Sequence, residues 1–136
     1  MRIPIKAALV YFFAVFAAGF LLGTVRVLFL VPKLGELPAV LLEIPLILTI
    51  SWFVCRMVTT RVPVGEGIGA RLAMGANAFV LLMVVEWALG VFAFGRSPAE
   101  IAAAYGEAAG LIGLMGQVGF ALIPLLQRPP APQARA

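Results

Sequence analysis

Three ionisable residues stand inside long apolar stretches of this chain: Arg26, Glu43 and Glu86. A charge at mid-bilayer depth costs about 2.5–3.5 kcal/mol on insertion scales, so such residues pair, face a bundle interior or mark a ligand or ion path. Arginine presents a planar fork, and a carboxylate is its natural partner. An Arg26–Glu43 ion pair with Glu86 near it is therefore expected. Two readings of this cluster follow. In one it only locks helices together. In the other, the surplus carboxylate makes a polar site for an ion, a proton or a lipid headgroup.

Other chemistry is sparse. The chain has no His and no Asp, which removes haem and zinc sites built on imidazole. Cys55 is the only cysteine, so neither an internal disulfide nor a multi-thiolate metal site can form. No cofactor and no metal are expected. No nucleophile stands beside a base, which favours a non-enzymatic protein. The run Gly65-Glu66-Gly67-Ile68-Gly69-Ala70 has the look of a phosphate loop. It lacks a preceding strand and a Lys-Ser/Thr ending, and is read as a connection.

The elements that hold the three charges are apolar throughout. Of 136 residues, 63% are hydrophobic and 12% charged, against about 45–50% and about 25% in soluble domains. The mean hydropathy is +1.10. The apolar residues fall in four blocks, at 7–30, 38–58, 70–94 and 98–126. The first makes roughly 36 Å of helix, enough for a hydrocarbon core of about 30 Å. It is too long for a signal-peptide core and is read as a retained helix. The expected fold is all-α: a polytopic membrane protein with four transmembrane helices in an up-down bundle over 1–128, and a disordered Pro/Ala tail at 129–136.

Turn chemistry sets the boundaries. Pro32, Gly35 and Pro38 mark a tight turn from Val31 to Pro38. Pro38 suits a first helical turn, whereas Pro45 lies inside block two and predicts a kink. Ser97 is a candidate N-cap, with Pro98 as the first helical residue and Glu100 at the capping-box position. Asn77 is expected to hydrogen-bond between helices, and Trp87 and Tyr105 to lie toward the outer interface.

The net charge of +4 is spread over block ends. No stretch of six residues holds more than two bases, which argues against nucleic-acid binding. The bases instead give an orientation. With the N-terminus inside, Arg2, Lys6, Arg56, Arg61, Arg71, Arg128 and Arg135 are inside, and Arg26, Lys33 and Arg96 are outside, seven against three. Positive-inside bias places both termini in the cytoplasm. Arg26, Glu43 and Glu86 then share a level in the outer half of the membrane.

Small residues predict where helices touch. Gly19 and Gly23 form a small-xxx-small pair with Arg26 on the same face. Gly106, Gly110, Gly113 and Gln117 follow helical spacing in block four, with Gly116 and Gly119 on a neighbouring stripe. Gly106, Gly110 and Gly113 are expected to form a packing seam. That seam serves the bundle itself, a homo-oligomer or a partner membrane protein.

The stretch Gly23-Thr24-Val25-Arg26-Val27-Leu28 through Pro32, Gly35-Glu36, Ala39 and Glu43-Ile44-Pro45 resembles a family of short four-helix bacterial inner-membrane proteins with no assigned activity. A weaker likeness surrounds Arg71-Leu72-Ala73-Met74-Gly75 and Glu86. The resemblance implies a bacterial inner membrane and no mechanism. In size the chain is also similar to small multidrug transporters, but its first helix carries no acid. Three functions follow from the residues, in this order: a non-enzymatic scaffold or accessory subunit; a small transporter or proton/ion pathway through the Arg26, Glu43 and Glu86 cluster; and last an enzyme acting on lipid at the outer leaflet.

The charge bias makes a direct prediction. A membrane-impermeant thiol reagent added outside should label Ser97→Cys and miss Glu66→Cys. The opposite pattern would invert the orientation.

Overall fold

A computed structural model describes residues 4–128. The tail at 129–136, and the bases Arg2 and Arg135 used above for orientation, lie outside the described residues. Among the described residues there are five helices: α1 (Ile5–Leu34), α2 (Glu36–Arg61), α3 (Ile68–Ala93), α4 (Pro98–Ala104) and α5 (Ala108–Leu126). No strand occurs among the described residues. Helices α1, α2, α3 and α5 are each long and apolar enough to cross a membrane.

The four long helices run alternately up and down. Helix α1 packs on α2 and α3, and α5 packs on the same two. Consecutive helices α2 and α3 are thus diagonal, and the connection from Val62 to Gly67 crosses one end of the bundle. We call that end, which also holds Pro4 and Arg128, the terminal end. The far end holds the Gly35 turn and the segment from Phe94 to Glu107.

The Gly35 turn is tighter than the proline pattern predicts. Helix α1 continues through Pro32 to Leu34, and Gly35 alone separates it from α2. Its φ of 86° is a left-handed conformation that favours glycine. Helix α1 survives Pro32 because Arg26–Leu30 is a π-helical turn, with the Val31 N–H on the Arg26 carbonyl. A proline ring collides with the carbonyl four residues back in a regular helix. The widened turn just ahead of Pro32 relieves that collision. A second π turn, Leu89–Ala93, closes α3 at the same end. There Gly95, with φ 65°, reverses the chain.

Block four is broken. Pro98 starts α4, and Ser97 caps it by accepting the Glu100 N–H at 3.1 Å. The helix stops at Ala104, and α5 starts only at Ala108. In between, Tyr105 and Gly106 donate to carbonyls three residues back. The expected continuous helix over 98–126 is therefore two helices, and Gly106 is an exposed turn residue.

The core sits toward the terminal end. Tyr11, Phe12, Cys55, Met74 and Ala78 are buried there with Phe120 and Ile123. The Tyr11 and Phe120 rings stack at 4.4 Å, and Tyr11 Oη donates to the Phe120 carbonyl at 2.7 Å. This contact spans the other diagonal, α1 to α5. Outward faces are apolar: Phe13, Leu21, Phe53, Val84 and Met115 are all exposed.

Glycines set the helix approach, but only in part at the expected positions. A Cβ on Gly75 would strike the Ala121 carbonyl oxygen of α5. Gly116 receives Ile44, Gly119 receives Leu48, and Gly90 receives Ile101. Of the three glycines expected to form the block-four seam, Gly110 does pack closely, since a Cβ there would strike the Ala104 carbonyl at the end of α4, whereas Gly106 approaches only the Ala103 carbonyl of its own turn and a Cβ on Gly113 would meet nothing within 4 Å. Gly19 makes an ordinary 3.6 Å contact with Ile47, and Gly23 meets only Arg26 of its own helix. The α5 seam against α2 is thus Gly116 and Gly119; the break at Tyr105 removes Gly106 from α5, and Gly110 and Gly113 keep their register but face the end of α4 and open space.

This contrast is testable by thermal unfolding in detergent. Gly75→Ala should lose at least the roughly 1–3 kcal/mol typical of an overpacked core. Gly113→Ala should stay within about 0.5 kcal/mol of the parent. Equal effects would contradict the packing described.

Candidate functional site: a charged cavity at the far end

In an apolar bundle every polar side chain must find a partner. Most find it on their own helix. Thr24 donates to Phe20 O, Thr49 to Pro45 O, and Ser51 to Ile47 O. Asn77 donates to Ala73 O at 2.7 Å, so it is satisfied within α3 and does not bridge helices as expected.

The exceptions in the far half are Arg26, Glu43, Glu86 and Gln117. Arg26 begins the π turn of α1, and Glu43 lies on α2 two residues before Pro45. Arg26 Nε meets Glu43 Oε2 as an ion pair. The contact is electrostatic rather than an aligned hydrogen bond, and the Nε–H has no acceptor in line. Gln117 of α5 donates from Nε2 to Glu86 Oε2 of α3 at 2.5 Å. Each pair therefore ties two neighbouring helices.

Both pairs line one cavity of about 920 Å³ between the helices. Its floor is formed by Phe12, Ser51 and Phe120. Its lining extends to Glu36, Phe94 and Arg96, all exposed at the far end. Trp87 and Tyr105 form part of the wall, stacked at 6.4 Å with 16° between their planes. Arg26 and Glu43 side chains remain 25% and 17% exposed, so both are reachable from the cavity.

The glycines explain the hollow. Gly19, Gly23, Gly90, Gly110, Gly113 and Gly116 all border the cavity. At Gly113 no neighbouring side chain fills the space, so the missing Cβ becomes cavity volume. The α5 stripe expected to pack against a helix is largely a cavity wall. Apolar cavities of this size with a few converging polar groups are what small-molecule sites look like.

Three features were not read from the sequence. Gln117 was assigned to a seam and not to Glu86, although matching helix depths would have paired them. The Trp87–Tyr105 stack depends on the α4–α5 break. Arg71 was counted as an inner loop base, yet it is 6% exposed. Its Nε donates to Gly65 O at 3.2 Å. Among the described residues, no group of three His, Cys, Asp or Glu side chains could hold a metal ion. The chain matches no protein-family model, and no curated protein or solved structure matches it.

The Arg26–Glu43 pair predicts a non-additive mutant pair. Breaking a buried ion pair by removing one partner costs about 3–5 kcal/mol, whereas replacing both with apolar residues is often neutral. Arg26→Ala should reduce accumulation in the membrane fraction more than the double change Arg26→Leu with Glu43→Leu. Additive losses would show that the two charges are not coupled.

Proposed function

We propose that the protein spans a bacterial cytoplasmic membrane four times, with both termini inside, and binds a small molecule in the far-end cavity from the outer side. It acts there as a small transporter or ion pathway does. The observation that carries this reading is the convergence of Arg26, Glu43, Glu86 and Gln117 on one ligand-sized space. An ion pair that only locked α1 to α2 would need no cavity beside it. Four apolar helices and an apolar exterior support the membrane setting. The positive-inside bias supports the orientation, which puts the mouth residues Glu36, Phe94 and Arg96 outside.

A scaffold or accessory subunit is the second reading. Arg26 and Glu43 neutralise each other and tie two helices, which a purely structural role would also require. A stoichiometric partner recovered from mild detergent, and retained when the cavity is filled by Gly113→Leu, would favour it.

The cavity reading has a direct test. In a Cys55→Ala background, Gly113→Cys should react in intact cells with a small charged methanethiosulfonate added outside. Gly113→Cys that is inert from outside, and reactive only after the membrane is opened, would overturn an outward-facing cavity.

A further inference from the structure

We infer that the cavity selects an amphiphilic organic cation, an ammonium-type charge on an apolar body, with Glu86 as its counter-charge. The inference rests on the cavity reading above and names its ligand class.

Charge comes first. The lining holds Arg26, Arg96, Glu36, Glu43 and Glu86, a net of minus one. Arg26 and Glu43 form the one ion pair among the described residues. Arg96 and Glu36 are exposed at the mouth, where water screens them. That leaves Glu86, deeper in the wall, held by a neutral amide and by no cation of its own. A monovalent cation beside it would complete the balance.

The walls decide what kind of cation. Trp87 directly follows Glu86 in the chain, and its ring stacks with Tyr105 on the same cavity. Aromatic faces attract cations, most strongly where water is excluded. The rest of the lining is mainly phenylalanine, leucine, isoleucine and glycine. A hard metal cation needs about six oxygen ligands, and no three candidate side chains converge among the described residues. A space of about 920 Å³ is also far larger than any bare ion. An apolar body fills that space, and its charge is met by Glu86 and the aromatic pair. Anions of the same shape meet two carboxylates and an arginine already taken.

Tetraphenylphosphonium and tetraphenylborate share a shape and differ in sign, so they isolate this selectivity. Binding to the purified full chain in detergent would be measured by equilibrium dialysis. The phosphonium should bind saturably and the borate at least tenfold more weakly. Glu86→Gln, which keeps an acceptor for Gln117, should weaken the phosphonium at least tenfold with unchanged thermal stability. Trp87→Leu should weaken it several-fold, and Gly113→Leu should abolish it by filling the space. A single-tailed alkylammonium should compete. Competition by phosphatidylethanolamine as well would make a lipid headgroup the source of the ammonium. Borate binding as tightly as phosphonium, or phosphonium binding that ignores Glu86→Gln, would overturn the inference. Failure of both ions to bind a protein whose Gly113→Cys is labelled from outside would reject the cation and leave the cavity. Failure of that labelling would reject the cavity itself.

Discussion

The fold is organised by the cost of a polar group in an apolar bundle. Backbone groups are satisfied by helix formation, and hydroxyls and Asn77 turn back onto their own helices. Arg26, Glu43 and Glu86 are charged and long, and no carbonyl four residues back can neutralise them. They must reach across to other helices, and in doing so they fix which helices are neighbours. Arg26 with Glu43 joins α1 to α2. Glu86 with Gln117 joins α3 to α5. The diagonal arrangement of α2 and α3 is compatible with both ties.

The same constraint divides the bundle by depth. At the terminal end the interior is filled by apolar and aromatic side chains, closed by the Tyr11–Phe120 stack across the diagonal. At the far end the helices carry charges that need room and orientation. Both π turns lie there, one beginning at Arg26 and one three residues after Glu86. A π turn shifts side-chain register by one residue, and such turns often accompany functional sites. Here each sits beside a charged residue, so the irregular backbone and the polar cavity occupy the same level.

Much of this was legible from residue types alone. Four apolar blocks gave four long helices because block length and hydropathy are local properties. The Ser97 cap follows from a side chain and an N–H three residues apart. Arg26 and Glu43 could be paired because a lone charge in lipid is so costly that depth and sign nearly determine the partner. What local chemistry did not reveal was geometry that depends on neighbours. Pro32 was expected to end a helix, and a π turn ahead of it removed the clash. The break after Ala104 took Gly106 out of α5 and left Gly110 beside the end of α4 and Gly113 beside open space, so the expected Gly106, Gly110 and Gly113 seam is not one surface.

That division shows why a stripe of small residues has no fixed meaning. A glycine in a helix removes a side chain, and the outcome depends on what faces the gap. Opposite Gly75 is the Ala121 backbone, opposite Gly116 is Ile44, and opposite Gly119 is Leu48. In those places the gap becomes close packing, the usual use of small residues between membrane helices. Opposite Gly113 there is no atom within 4 Å. There the same gap becomes a hollow, and it borders the same cavity as Glu86 and Gln117. Spacing along α5 is identical in kind at both depths. The bulky residues of α2 decide the difference: Ile44 and Leu48 plug α5 toward the terminal end, and nothing plugs it at Gly113.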